Sequence, residues 1–265
     1  MKNKLEIFLF LILVMPWTLA AQEKSSFLKE VFVENNDTLN YRILYPQNFD
    51  PNEQYPLVLF LHGAGERGED NEKQLVHGSS LFLNPGNRED FPAIVIFPQC
   101  PTSEYWAKAN IVRAEAGNTF EFDYALDPHK SMGLVMQLVK SYSKNHFIDD
   151  SRLYVGGLSM GAMGTYEILH RMPNTFAAAF AICGAGNPYS VGNYAKKVNL
   201  WVFHGAKDDV VDPEYSKQMV ETLKAAGANV KFTLYPEANH NSWDPAFAEP
   251  ELLPWLFSNS KLKDE

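Results

Sequence analysis

The chain has 265 residues, 46% of them hydrophobic and 13% aromatic, enough to bury one sizeable core and too apolar for a disordered segment. Its 23 basic and 32 acidic residues give a formal charge of −9, which argues against nucleic acid or anionic membrane as a partner and favours neutral substrates. From the N-terminus, Lys2 and Lys4 precede an unbroken apolar run from Ile7 to Met15 and the small residues of Thr18-Leu19-Ala20-Ala21. That is the layout of a secretory signal peptide cut after Ala20 or Ala21, which leaves 22–265 as one domain and predicts a secreted or periplasmic protein. The run is about half of the ~20 apolar residues that span a bilayer, so no stable membrane anchor is expected. No Cys stands at the cut to accept a lipid.

Two β-like runs follow, Phe27 to Glu34 and Leu39 to Tyr45, separated by Asn35-Asn36-Asp37-Thr38. Asn and Asp tolerate the turn conformations of a hairpin, so an antiparallel pair is expected here. The pattern then changes to short apolar runs without polar alternation: Leu57–Leu61, Ile94–Phe97, Leu153–Val155, Ala177–Ile182, Leu200–Phe203 and Val230–Tyr235. Strands covered on both faces read this way. Helix-like segments lie between the later ones, at Pro128–Asn145, Ala162–Arg171 and Pro213–Ala226, the last closed by Gly227. Strand–helix alternation implies an α/β protein with a mostly parallel sheet and helices on both faces. The stretch from Pro101 to Asp127 is long and aromatic. It reads either as a partly ordered lid or as a surface excursion with one short helix.

The chemistry centres on Gly157-Leu158-Ser159-Met160-Gly161, placed between a strand and a helix. By composition alone this pattern arises in roughly one chain in ten of this length, so its weight comes from its place. A nucleophilic serine on a sharp strand-to-helix turn needs neighbours without Cβ, and the helix N-terminus behind it favours developing negative charge. Triad partners in this arrangement follow as an acid and then a histidine. Asp208, Asp209 and Asp212 all lie beyond the run ending at Phe203. Asp208 comes first and is favoured, with Asp209 still open and Asp212 suited to cap the helix starting at Pro213. His240 is the only histidine after the acid. His204 is expected to pack behind the site, and His77, His129, His146 and His170 to be surface or packing residues. An oxyanion hole needs two backbone N–H groups. One is expected from Met160, the other from Ala64 or Gly65 in His62-Gly63-Ala64-Gly65-Glu66-Arg67-Gly68, a loop without the Lys-Ser/Thr ending of a phosphate cradle.

Together, Leu61 to Gly68 with Asp70-Asn71, Ile148-Asp149 to Arg152, Gly157 to Gly161, and Asn239-His240-Asn241-Ser242-Trp243 resemble bacterial secreted esterases of the α/β-hydrolase superfamily. These are carboxylesterase/phospholipase-like or "predicted peptidase" enzymes, related to feruloyl esterases and polyhydroxybutyrate depolymerases. The resemblance covers almost the whole chain after the signal. It implies that the strand ending at Phe97 flanks the one ending at Leu61, followed by those ending at Gly156, Ile182 and Phe203. In that order Cys100 and Cys183 end strands three spacings of ~4.8 Å apart, beyond the reach of a disulfide, so both are expected as free buried thiols. One departure stands out: Ala162 follows Gly161 where such enzymes often carry a second glycine. The resemblance also places Trp243 beside His240, bordering the acyl pocket or simply in the core. Trp106 is a second candidate for contact with substrate.

The expected reaction is hydrolysis of a carboxylic ester, of a short acyl or carbohydrate-linked aryl or acetyl type, through an acyl-enzyme on Ser159. No metal or organic cofactor is needed, and the partner is a small-molecule or oligosaccharide ester. A peptidase with the same triad is the alternative, and a non-catalytic binding module is a third reading that the full residue set opposes. The sequence leaves the oligomeric state open.

Overall fold

The computed structural model describes residues 26–114 and 117–261; the expected signal peptide lies outside them. An eight-stranded sheet runs through the molecule in the order β1-β2-β4-β3-β7-β8-β9-β10. Its strands are β1 (Leu28–Glu34), β2 (Asp37–Leu44), β3 (Tyr55–Leu61), β4 (Ile94–Pro98), β7 (Ile148–Leu158), β8 (Ala178–Ile182), β9 (Asn199–Gly205) and β10 (Val230–Tyr235). β1 and β2 pair antiparallel as expected. Asn35 and Asn36 both take left-handed φ, 51° and 68°, the signature of a two-residue turn whose twist matches its strands. β2 joins β4 antiparallel, and from β4 to β10 every pairing is parallel. The order around β3 is the one the resemblance implied.

Alternate residues of the inner strands feed two cores. Leu57, Leu59 and Leu61 of β3 with Leu153 and Val155 of β7 face one layer; Val58, Phe60, Tyr154 and Phe180 face the other. The first layer is covered by α3 (Lys130–Tyr142), α4 (Met160–Arg171) and α5 (Pro213–Ala225). The second is covered by α1 (Ser79–Leu83), α6 (Trp243–Phe247) and α7 (Leu252–Phe257), with α2 (Pro85–Asp90) beside α1. Each fully buried Leu or Phe contributes about 1.5–3 kcal/mol, so this double-sided burial carries the fold. Asp212 caps α5 by accepting from the Glu214 N–H at 2.9 Å, with Pro213 at the first position. Gly227 beyond it takes φ +82°.

Pro101 to Asp127 differs from the surface excursion with a short helix. It holds an antiparallel hairpin, β5 (Ala109–Ala114) and β6 (Gly117–Phe122). The hairpin is sewn to the body: the Lys108 amide donates to Glu167 of α4, Asn118 Nδ2 to the Val210 carbonyl at 2.8 Å, and Asn187 Nδ2 to the Phe122 carbonyl at 3.2 Å. Phe120 packs edge-on to Tyr215. Cys100 and Cys183 are free and buried, as their strand positions required. No helix among the described residues is long and apolar enough to cross a membrane. A mostly parallel, doubly covered sheet with an antiparallel N-terminal pair is the α/β-hydrolase fold.

Candidate active site

The C-terminal ends of β3, β7, β8, β9 and β10 meet at one edge of the sheet. Ser159 stands between β7 and α4 with φ 52° and ψ −119°, a strained left-handed conformation for a residue with a side chain. Glycine is required two residues to either side of it. A Cβ on Gly157 would come within 2.4 Å of the Gly161 carbonyl oxygen, and one on Gly161 within 1.9 Å of the Leu61 carbonyl oxygen. The turn is pinned by the Ser159 N–H donating to the Ile182 carbonyl at 2.8 Å. Ala162, the departure from the double glycine, is matched across the helix: a Cβ on Gly184 would lie 2.4 Å from the Ala162 methyl. The room a second glycine would leave at the elbow is provided by Gly184 instead.

His240 Nε2 lies 3.0 Å from Ser159 Oγ, and its Nδ1 lies 2.8 Å from Asp208 Oδ2. A carboxylate can only accept, so Nδ1 carries the proton and Nε2 is free to receive the one from the serine. Ser159 is partly exposed and His240 largely covered. Asp208 is buried, and Asp209 beside it is exposed. The structure therefore brings Asp208 to His240 and leaves Asp209 in solvent.

Asp208 is held from four directions. Its Oδ1 accepts from the Val210 and Val211 amides at 2.9 Å each, and its Oδ2 also accepts from His204 Nε2 at 3.0 Å. Burial alone would raise its pKa. The hydrogen bonds from His204, His240 and the Val211 amide, together with the His240 charge, outweigh burial and hold the carboxyl well below the usual range. His204 is fully buried, its Nε2 facing Asp208 and the Val211 carbonyl at 2.9 Å and its Nδ1 lying 2.7 Å from Ser216 Oγ. It packs behind the site, as its position before the acid suggested. Cys183 adds a sulfur close by: ligand atoms of Cys183, Asp208 and His240 all lie within 4.8 Å of one another. Burial first, then the Asp208 charge, pushes the Cys183 thiol far up, so it stays protonated. Asp208 and His240 already bond each other, and the trio suits proton transfer better than metal binding.

Two segments beside the nucleophile supply the expected oxyanion donors. Met160 opens α4, so its N–H has no partner inside the helix. Ala64 and Gly65 open a 3-10 turn, Ala64–Glu66, directly after β3. The loop is braced by a residue the sequence did not single out, His62. Its Nε2 accepts from the Cys100 amide at 3.0 Å, and its Nδ1–H donates to the Gly63 carbonyl at 2.6 Å. Burial lowers its pKa to about 4, so the ring is neutral and both bonds persist at pH 7. Arg67 extends the brace, donating to the Ala64 and Thr102 carbonyls at 3.0 and 3.1 Å.

The two tryptophans part company. Trp243 is half-buried with its ring edge-on to His240 at 5.5 Å. Trp106 is fully buried, donates from Nε1 to the His62 carbonyl at 3.1 Å and fills the space above Gly164. With no exposed surface it supports the loop rather than meeting substrate, which corrects the expectation for it. His77, expected on the surface or in packing, is a partly exposed packing residue, its ring 5.0 Å from the Trp243 ring. Nothing local in the sequence marks that approach, because the two residues come from distant segments folded over one sheet edge.

Residues 50–249 match the phospholipase/carboxylesterase family. Poly(3-hydroxyalkanoate) depolymerase C of Paucimonas lemoignei is 46% identical over 202 residues, covering 63% of this chain and 44% of that protein. The bifunctional acetylxylan esterase/xylanase of Neocallimastix patriciarum is 28% identical over 167 residues, covering 63% of this chain and 21% of that one. The crystal structure of a thermostable esterase superposes with a TM-score of 0.80 at 32% identity, covering 90% of this chain and 64% of its own. The chain thus spans less than two thirds of each of these proteins. With three quarters of its length matching and an esterase sharing its architecture, it belongs to the phospholipase/carboxylesterase family.

Proposed function

We propose that the chain is a serine carboxylesterase acting through an acyl-enzyme on Ser159. The observation that carries this reading is the hydrogen-bonded chain from Ser159 through His240 to Asp208; the N–H groups of Met160, at the helix start, and of Ala64 or Gly65, in the turn after β3, are the oxyanion donors in this reading. His240 Nε2 takes the hydroxyl proton as Ser159 Oγ attacks the ester carbonyl. The amides hold the oxyanion, worth about 3–4 kcal/mol for each donor. Asp208 fixes the tautomer and stabilises the imidazolium, which then gives its proton to the departing alcohol. Water repeats the sequence on the acyl-enzyme and frees the acid. Family relatives that act on acetylxylan and on polyhydroxyalkanoate support neutral polymer-derived esters as substrates. The apolar run at Ile7–Met15 supports export, where such esters are met. Fluorophosphonate should label the folded protein at Ser159, and Ser159→Ala should lose hydrolysis of nitrophenyl acetate by at least about 10³-fold with an unchanged circular dichroism spectrum. Turnover retained in the variant would assign the nucleophile elsewhere, and faster cleavage of a peptide amide than of the ester would favour a peptidase.

A further inference from the structure

One carboxylate near the candidate active site has no hydrogen-bond donor among the described residues. Glu66 closes the turn that starts at Ala64, and its side chain is 12% exposed. Its Oε2 lies 2.9 Å from where a Cβ on Gly63 would sit, a point 2.8 Å from the side chain of Leu158, the residue before Ser159. The main chain of Glu66 is already engaged, its N–H on the Gly63 carbonyl and its carbonyl on Gln99 Nε2. Its carboxylate meets only His77, whose Nε2 stops 3.8 Å from Oε1, too far for a direct hydrogen bond. A carboxylate that is mostly covered yet meets no donor from the protein is open to a polar group arriving from solvent.

His77 packs on Trp243, and Trp243 on His240. Glu66 and His77 therefore stand in a row of contacts that leads from the loop after β3 through Trp243 to His240. His240 must protonate the departing alcohol, so the alcohol half of the ester lies on this side. We propose that Glu66 and His77 form a subsite for a hydroxyl group on the alcohol portion of the substrate, which makes esters of polyols and sugars preferred over esters of simple alkanols. The proposal rests on the serine-esterase reading. One hydroxyl oxygen about 2.8 Å from each partner bridges their gap, donating its proton to the carboxylate and accepting from the imidazole N–H. The same carboxylate repels a phosphate, so lysophospholipids are disfavoured.

The test compares kcat/KM for glyceryl 1-monoacetate and propyl acetate, which share an acyl group and differ in the hydroxyls. The wild-type protein should prefer the glyceryl ester by about tenfold or more, because a site built around a substrate hydroxyl leaves its own groups unpaired with the analogue. Glu66→Ala and His77→Leu should each bring the ratio toward one. Equal use of both esters by the wild type, or a ratio unmoved in both variants, would overturn the subsite and leave the esterase reading standing. Failure of both esters together with absence of fluorophosphonate labelling would overturn both.

Discussion

At the scale of single residues, Asp208 shows how the site is tuned. Its Oδ2 receives two imidazole N–H groups, one from His240 and one from His204, and only the first belongs to the proton path. His204 shares its Nε2 proton between Asp208 and the Val211 carbonyl, while the Val211 amide returns to Asp208 Oδ1. The ring therefore closes the acid loop on itself and fixes where the carboxylate points. His204→Leu keeps the volume and removes the donors. It should lower kcat on nitrophenyl acetate about tenfold with little change in KM, and lower the unfolding free energy by about 1–3 kcal/mol in urea titrations. Asp208→Asn should cost far more, about 10⁴ in kcat, because its amide permits the wrong tautomer of His240. If both substitutions cost the same in kcat, His204 would be part of the proton path rather than a support. The order of Ser159, Asp208 and His240 was legible because each follows a strand end in a fixed sequence. Glu66 and His77 were not, since the approach of Glu66 to His77 and of His77 to Trp243 depends on how two loops and α6 fold over one edge.

At the scale of elements, the inner strands were legible for a plain reason. A strand buried on both faces needs an uninterrupted apolar run, and β3, β4, β8 and β9 have one. The β5–β6 hairpin was missed because its signal is weak: the alternation Thr119-Phe120-Glu121-Phe122 sits in a stretch with little else that is regular. What holds the hairpin is tertiary. Glu167 is fully buried in α4, where it accepts from the Lys108 amide at the hairpin's foot and from Arg171 Nε at 2.7 Å. Arg171 in turn donates to the Leu126 carbonyl at 2.8 Å. Both ends of the segment thus hang on one ion pair. Glu167→Ala should destabilise the protein by about 3–5 kcal/mol, since it strands the Arg171 charge and the Lys108 amide. The double variant Glu167→Met with Arg171→Leu should recover part of that loss, because no buried charge remains. Urea unfolding of the single and double variants would show it. A single variant within about 0.5 kcal/mol of wild type would mean the hairpin is held by its other contacts, the packing of Phe120 on Tyr215 and the Asn118 and Asn187 hydrogen bonds.

Across the whole molecule, the buried groups that shape the site also set how stability depends on pH. His62 is neutral in the folded protein and has its pKa lowered from 6.5 to about 4 by burial. The unfolded chain therefore binds a proton below pH 6.5 that the folded chain refuses until about pH 4. Stability contributed by His62 is present above that window and lost as pH falls through it, by about 3 kcal/mol in total. The carboxyls of Asp70 and Asp208 behave differently. Hydrogen bonds from the Lys73 and Glu72 amides and from Gln99 outweigh the partial desolvation of the exposed Asp70 and hold it well below its usual range, as the histidines and the Val211 amide do for the buried Asp208. Their contribution is intact above the unfolded carboxyl range near pH 4 and is lost only in stronger acid. Two stages of acid loss are expected, the first from one histidine and the second from carboxylates. Urea unfolding between pH 8 and 4 should show stability falling with a slope near one proton, about 1.4 kcal/mol per pH unit, through the middle of that range. In His62→Gln the slope should disappear, even though the brace between the oxyanion loop and Cys100 is weakened and stability at pH 7 drops. A variant that kept the wild-type slope would move this first loss to another group, and with it the account of His62 as the neutral ring that holds the loop in place.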